Sequence, residues 1–227
     1  MKTKTLFTIC LLLLGTIVLQ AQDLKPFKAD NGKYGYKDPN GKIIVQPKYD
    51  FAYDFSEGLA GVHILGEPIG RGYGKAISSG YINAKGEEVI PLKYTNVYPF
   101  QEGLAWVNTG GEFIDTGFSQ QFAGGKWGLV DKNGKVIIPP KYDVVKKFSE
   151  GMCVVSIGGN RLTGGGLYGF VDKTGKEVIP LEYDKIFAEI EYEGGFKAVE
   201  KYFKDGKVKV QKDGRTFFID KTGKEVK

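Results

Sequence analysis

The sequence predicts an all-β protein, built as a tandem array of about four and a half three-stranded repeats. Three observations carry this prediction. Glycine supplies 33 of the 227 residues, as expected for many turns between short strands. Hydrophobic residues make up 41% and aromatic residues 13%, which is enough for a packed core. One short pattern, glycine–apolar–any–Asp or Asn–any–any–glycine, recurs along the chain, and a recurring period of this length is the signature of a repeat array.

The pattern occurs five times, at starts that are 45, 48, 41 and 48 residues apart. The copies are Gly35–Gly41, Gly80–Gly86, Gly128–Gly134, Gly169–Gly175 and Phe217–Gly223, the last with phenylalanine as its leading residue. Eight residues after the second glycine of the first four copies comes a tyrosine: Tyr49, Tyr94, Tyr142 and Tyr183. In the first three copies a Phe-x-Glu-Gly segment follows, beginning at Phe55, Phe100 and Phe148. The fourth copy reads AEIEYEGG there, which predicts that it has lost this segment.

Each copy is predicted to form three strands, as the third copy illustrates. The first strand is Trp127–Asp131, and the turn Asp131–Gly134 follows, with an Asp that can accept backbone N–H bonds and a glycine that can adopt positive φ. The second strand, Lys135–Ile138, is expected to end at Pro139, because proline cannot donate to a sheet. The chain then crosses to the next layer and forms a third strand, Met152–Ser156.

The segment GKWGLVDKNGKVIIPPKYDVVKKFSEG, at Gly125–Gly151, resembles the WG repeat, which is named for its Trp-Gly pair. The resemblance extends from about Gly32 to the end, although Trp127 is the only tryptophan at the signature position. The other copies have Tyr34, Ser79, Tyr168 and Thr216 there. The resemblance implies an all-β repeat protein, often exported, and supplies no catalytic residue.

The domain is predicted to span residues 22–227, with copies at approximately 32–78, 79–124, 125–167 and 168–214 and a partial copy at 215–227. A single copy cannot bury its apolar face, so neighbouring copies must stack. We expect an open, solenoid-like stack; the alternative is a closed, propeller-like ring. The recurring tyrosines and phenylalanines would then stack as ladders in the core, or else form an exposed aromatic stripe. The lysine-rich end, Lys201–Lys227, would form a charged cap.

The N-terminus predicts export. Lys2 and Lys4 precede an apolar run from Leu6 to Leu19, and Ala21 offers a cleavage site, in the order of a secretory signal peptide. Residues 1–21 would be removed, which leaves no membrane span, because the run is shorter than the roughly 20 residues that a span needs. Removing the two lysines takes the net charge from +5 to +3, too low for a nucleic-acid-binding surface. We expect a periplasmic or extracellular location.

The sequence indicates no catalytic, cofactor or metal site. His63, the only histidine, is expected at the surface or at a sheet edge, and Cys153 is expected to be a small buried residue. The recurring Asp residues fit turns better than calcium loops, which need several oxygen ligands. The glutamates of the Phe-x-Glu-Gly segments, Glu57, Glu102 and Glu150, fit solvent-exposed turns better than paired catalytic carboxylates. We therefore expect a protein that is not an enzyme.

The segments that join the copies vary in length: His63–Ser78, Asn108–Gly124 and Ile157–Leu167. They retain apolar residues, and insertions in repeat arrays often emerge together as a binding face. Partner-binding candidates are Tyr73, Phe113, Ile114, Phe118 and Phe122. Alternatively, the joins are extended hairpins or loops without a ligand. The favoured function is a protein-interaction or structural module with an unknown protein or envelope component as its partner. The alternative is an envelope carbohydrate-binding module that uses exposed aromatic residues.

Overall fold

A computed structural model describes residues 23–68, 75–115, 120–159, 165–193 and 197–227. The proposed signal segment lies outside these residues. Every named element of regular structure in these residues is a β-strand, and the strands form antiparallel sheets, which confirms the predicted fold class. No helix in the described ranges is long and apolar enough to cross a membrane.

In the described part of the chain, five sheets follow one another and a sixth, two-stranded sheet is inserted before the end. The first contains β1 (Lys25–Lys28), β2 (Tyr34–Lys37) and β3 (Ile43–Tyr49). The second contains β4 (Phe51–Ala52), β5 (Ala60–Pro68), β6 (Lys75–Ile82) and β7 (Glu88–Tyr94). The third contains β8 (Asn96–Val97), β9 (Leu104–Asp115), β10 (Gln120–Asp131) and β11 (Val136–Tyr142). The fourth contains β12 (Val144–Ser149), β13 (Met152–Ile157), β14 (Leu167–Asp172) and β15 (Glu177–Tyr183). The fifth contains β16 (Lys185–Phe187), β19 (Lys207–Lys212), β20 (Arg215–Asp220) and β21 (Glu225–Val226), and β17 (Glu189–Glu193) with β18 (Lys197–Lys201) forms a separate two-stranded sheet.

Each four-stranded sheet is shared by two copies of the sequence repeat. The third strand of one copy pairs with the first strand of the next, as β5 does with β6 and β9 with β10. The tyrosine at the end of each second strand is followed at once by the first strand of the next sheet. Neighbouring copies are therefore joined by backbone hydrogen bonds as well as by side-chain packing.

Four hydrophobic cores lie between consecutive sheets. The core between the second and third sheets, for example, combines Tyr81 and Ile90 of one sheet with Val97 and Val107 of the other. The other three cores repeat this arrangement between the remaining neighbours. None of the four joins the first sheet to the last within the described part of the chain. The arrangement is therefore the open, solenoid-like stack.

The recurring aromatic residues are buried, as predicted, but they do not form ladders. Each core contains one of the four recurring tyrosines and one phenylalanine of a Phe-x-Glu/Asp-Gly segment. The phenylalanine rings instead meet aromatic residues of the first strands: Tyr36–Phe55 at 4.9 Å, Tyr81–Phe100 at 4.7 Å and Phe170–Phe203 at 4.9 Å between centroids. Stacked sheets lie about 10 Å apart, so equivalent rings in successive cores are separated by a whole sheet.

The prediction that proline ends the second strand is wrong. β11 continues through Pro139 and Pro140 to Tyr142, with a register shift opposite Gly128. At this bulge the strand crosses close over the glycine, and a Cβ on Gly128 would lie 2.6 Å from the Ile138 carbonyl oxygen and 2.8 Å from the Pro140 nitrogen. Proline is tolerated at a bulge because no ladder bond is needed there. The leading glycine of the repeat is therefore required by the backbone that passes over it, and Gly35, Gly80 and Gly169 are crowded in the same way.

The Asp-x-x-Gly segments form the predicted hairpin turns. In the third copy, Asp131 Oδ1 accepts hydrogen bonds from the backbone N–H groups of Asn133 and Lys135, both at 2.9 Å. Gly134 adopts a φ of +78°, which only glycine adopts readily. Asn83 holds the equivalent turn of the second copy through the same two bonds, so the turn needs an acceptor oxygen and not a charge.

The fourth copy does contain the segment that it was predicted to lack. Phe203–Gly206, with the sequence FKDG, has the bridge between Lys204 and Lys207 that occurs at the equivalent place in the first two copies. Asp205 adopts a φ of +52°, like Glu57, Glu102 and Glu150. The segment was missed because β17 and β18 are inserted in front of it, which displaces it along the sequence.

These Phe-x-Glu/Asp-Gly turns and the Asp-x-x-Gly turns share one side of the stack, which we call the turn edge. Here one residue of each turn donates a hydrogen bond to the carbonyl oxygen of the phenylalanine in the next: Ser56 to Phe100 at 2.6 Å, Gln101 to Phe148 at 3.4 Å and Ser149 to Phe203 at 2.6 Å. The glutamates form ion pairs with a lysine of a later turn: Glu57–Lys132, Glu102–Lys173 and Glu150–Lys221. A continuous polar row therefore holds the sheets in register.

Candidate functional site

The opposite side of the stack, which we call the hairpin edge, carries the segments that vary between copies. The meander order of the second, third and fourth sheets places the β5–β6, β9–β10 and β13–β14 hairpins on this edge. The joins predicted from sequence therefore form extended hairpins. This is the conformation that the sequence predicts as the alternative for these segments. Their outermost residues, 69–74, 116–119 and 160–164, lie outside the described residues.

The residue after each recurring tyrosine fixes the base of a hairpin. Asp50 Oδ2 accepts a hydrogen bond from the N–H of Leu65 at 3.0 Å, and Asp143 Oδ2 accepts one from Gly158 at 2.9 Å. In the third sheet Thr95 replaces the Asp, and its Oγ1 accepts from the N–H of Gly111 at 3.2 Å. These bonds tie each variable hairpin to the crossover that enters its sheet, so the hairpins leave the framework in fixed directions.

His63 is buried, and the prediction of a surface or edge histidine is wrong. It lies on β5, next to the central strand β6, with only 2% of its surface exposed. Its Nδ1 is hydrogen-bonded to Ser79 Oγ at 2.7 Å, and Tyr53 packs edge-on at 5.4 Å. Burial lowers the His63 pKa to about 4, so the ring is neutral at physiological pH. Ser79 takes the place of the signature aromatic residue, and the smaller side chain leaves the space that His63 fills.

In the third sheet, Trp127 and Asn108 take the positions that Ser79 and His63 occupy in the second sheet. They lie opposite each other on β10 and β9. Asn108 is fully buried and bound on both sides: its Oδ1 accepts from Thr95 Oγ1 at 2.8 Å, and its Nδ2 donates to the Gly124 carbonyl at 3.3 Å. Asn108 and Gly124 therefore belong to the framework, and the boundaries predicted for this join were too wide.

Of the five predicted partner-binding residues, one side chain is described. Phe122 is half-buried at the base of the β9–β10 hairpin and packs edge-on against Trp127 at 6.0 Å. Phe113 and Ile114 lie on β9, where they pair with Phe122 and Gln121 of β10. Tyr73 and Phe118 lie outside the described residues. The structure thus brings Phe113, Ile114 and Phe122 onto one hairpin.

The cysteine thiol and the recurring glutamate carboxylates are engaged in contacts that stabilise the fold. Cys153 is completely buried, as predicted; its thiol donates to the Lys146 carbonyl at 2.9 Å, and burial raises the thiol pKa to about 12. Glu57 and Glu150 accept hydrogen bonds from the N–H groups of Gly103 and Gly206 in addition to their ion pairs. No cluster of three or more metal-ligating side chains occurs among the described residues.

One exposed aromatic cluster adjoins His63 at the crossover into the second sheet. Phe51 is 53% exposed, and the rings of Tyr34 and Tyr53 each lie 5.8 Å from it. The ion pair between Lys33 and Asp50, at 2.7 Å, stands beside this cluster. The pattern of the repeat did not reveal the cluster, because the equivalents of Phe51 in later copies are Asn96, Val144 and Lys185.

A model of the family described as "WG containing repeat" matches the chain four times, at residues 34–64, 80–113, 127–160 and 168–215. Each match begins at or beside the signature aromatic position. The fourth is longer than the others because it includes the inserted β17–β18 hairpin. Comparisons with curated proteins and with solved structures gave no match.

Proposed function

Because the chain belongs to the family built from the WG containing repeat, we propose that it is an exported, non-enzymatic repeat protein that binds a protein partner through its hairpin edge. One observation carries the proposal: hairpins of different length and sequence leave the same edge of a regular stack, and each is fixed at its base. A rigid framework that presents variable segments on one side is a common arrangement for recognition.

The surroundings of the reactive groups support a role without catalysis. A catalytic histidine must reach substrate, and His63 is almost completely buried. A nucleophilic thiol needs a lowered pKa, and that of Cys153 is raised. Export is supported by the charged start, the apolar run and Ala21. In the periplasm or outside the cell, the partner would be a protein or another envelope component.

The experiment replaces residues 112–123 with a short Gly/Ser turn and leaves Asn108 and Gly124 in place. We expect the variant to keep the circular dichroism spectrum of the wild type and to unfold cooperatively at a lower midpoint, because it loses the packing of Phe122 against Trp127. In pull-downs from envelope extract, it should lose the protein that the wild type captures. Lys132→Ser, on the turn edge, is the matched control and should keep that protein. Capture by both variants would exclude this hairpin as the binding site.

A second candidate function, carbohydrate binding, is favoured by the exposed Phe51 cluster. An aromatic face flanked by paired charges can stack on a sugar ring while the polar groups bind its hydroxyls. The candidate rests on this cluster and not on the recurring aromatic rows, because those rows are buried. Phe51→Ala should abolish binding to a glycan array that the wild type binds, while Val136→Ala, another exposed apolar residue, should have no effect. A wild type that binds no glycan would remove this candidate.

A further inference from the structure

The β17–β18 hairpin is an insertion that the stack itself does not require. Tyr183 and Phe203 are 20 positions apart, whereas Tyr142 and Phe148 of the preceding copy are 6 apart. The hairpin therefore adds 14 residues to a framework that is complete without them. It precedes the Phe203–Gly206 turn and so lies toward the turn edge, away from the long hairpins.

Charged groups on both faces of the hairpin fix it to the stack: Glu189 and Glu191 lie on one face, and Glu200, the partner of Ile190, lies on the other. Lys204, in the turn that follows, pairs with Glu189 at 3.0 Å and with Glu191 at 3.3 Å, and Lys201 also pairs with Glu191. Glu200 binds Lys146 of β12 at 3.4 Å and accepts a hydrogen bond from the Tyr202 hydroxyl at 2.7 Å. A two-stranded hairpin is only marginally stable alone, and these contacts hold it in a defined position. A groove of about 450 Å³ remains between it and β12.

Two large apolar side chains of β17 lie on the face opposite Glu189 and Glu191, the same face as Glu200 of β18. Tyr192 is 68% exposed and Ile190 is 50% exposed, and Tyr192 lies opposite the small, exposed Ala198 of β18. Glu189 and Glu191 alternate with Ile190 and Tyr192 along the strand, so the two glutamates and the two apolar residues lie on opposite faces. No strand of the described chain pairs with the outer edge of β17. An unpaired edge with exposed apolar residues is a template for strand addition.

We propose that the outer edge of β17 binds an extended peptide segment of a partner protein, in which basic residues alternate with apolar ones. The backbone of the segment would extend the two-stranded sheet to three strands. Its apolar residues would lie beside Ile190 and Tyr192, and its basic residues beside Glu189 and Glu191. Opposite charges and apolar pairs across neighbouring strands are both stabilising.

The charge pattern disfavours a second copy of this chain as the occupant. When two β17 strands pair with their apolar faces on the same side, every glutamate of one lies beside a glutamate of the other. A shift by one residue removes this repulsion but places the apolar residues on opposite faces. A basic segment meets both requirements at once. β19, with the sequence KVKVQK, shows the same alternation within this chain, where it is already paired on both sides.

The test uses the full chain and a fluorescently labelled eight-residue peptide that alternates lysine and valine. Anisotropy should show saturable binding, and Ile190→Lys should weaken it at least tenfold. Ile157→Lys is the matched control, since Ile157 is a strand isoleucine that is 43% exposed on a different hairpin; its affinity should stay within twofold. A peptide that alternates glutamate and valine should not bind. In hydrogen exchange, the amides of Glu189–Glu193 should exchange at least tenfold more slowly when peptide is bound.

Three results would overturn the proposal. The first is no binding of the lysine–valine peptide at about 1 mM, a concentration that detects even weak association. The second is equal binding to the wild type and to Ile190→Lys, checked with Tyr192→Ser if the lysine variant is not folded. The third is a dimer in gel filtration that Ile190→Lys dissociates, which would identify a second copy as the occupant.

Discussion

Replacing Gly128 by alanine tests the explanation for the leading glycine of the repeat. The added methyl carbon would lie 2.6 Å from the Ile138 carbonyl oxygen and 2.8 Å from the Pro140 nitrogen. Both obstacles are backbone atoms of a bulged strand, and prolines stiffen that strand. The overlap therefore cannot be relieved by turning a side chain. Overpacking usually costs about 1–3 kcal/mol, and we expect about 3 kcal/mol here.

The measurement is urea unfolding followed in parallel by tryptophan fluorescence and far-ultraviolet circular dichroism. Both tryptophans, Trp106 and Trp127, lie in the core between the third and fourth sheets, so fluorescence reports on the neighbourhood of Gly128. The control is Gly103→Ala, where the methyl would meet no atom within 4 Å but φ is +84°. It should cost about 1–2 kcal/mol from backbone strain alone. A Gly128→Ala protein as stable as the wild type would show that the crossing strand does not explain the glycine.

Tyr142→Ala should destabilise the protein by about 3–5 kcal/mol in urea unfolding, the range for loss of a large buried aromatic side chain; an unchanged midpoint would contradict its burial. The His63 pKa is lowered to about 4, so the histidine of the unfolded chain binds a proton at a higher pH than that of the folded protein. The free energy of unfolding should therefore fall by about 3 kcal/mol between pH 6.5 and pH 4. His63→Asn should flatten this part of the pH profile of stability. Asp131→Ala should cost about 1–2 kcal/mol through two lost turn bonds, whereas Asp131→Asn should be nearly neutral, as Asn83 already forms the same turn. Iodoacetamide should modify Cys153 only after denaturation, since burial raises its pKa to about 12; rapid labelling of the folded protein, followed by mass spectrometry, would contradict this.

The repeat pattern predicted the parts of the fold that depend on local chemistry. Asp131 and Gly134 form the expected turn because turn geometry is decided within a few residues. Tyr142 is buried as expected because its spacing recurs with the framework. The course of the second strand was wrong, since the rule against proline applies to regular ladders and Pro139 lies in a bulge. A bulge depends on the strand that crosses it, which a single strand sequence does not reveal.

The candidate sites were harder to predict because they depart from the repeat. His63 and Ser79 are 16 positions apart, and only the pairing of β5 with β6 brings them into contact. The inserted hairpin was read as the loss of a segment, although the displaced Phe203–Gly206 turn keeps its phenylalanine and glycine. Exposure of Phe51 and Tyr192 could not be inferred, since buried aromatics recur throughout the chain. Predictions from a repeat are thus strongest where its copies agree.

The sharing of each sheet by two copies has a consequence for how such a chain can change in length. A deletion that removes only part of a period can leave β5 without its partner β6. A deletion of one whole period instead joins the third strand of one copy to the first strand of another. The new neighbours would meet with the same pairing as the old ones. Duplication of a whole period preserves the sheets in the same way, wherever in the period it begins. Genetic recombination could therefore lengthen or shorten the array without passing through a broken fold, because every resulting copy keeps one bulge glycine and one proline.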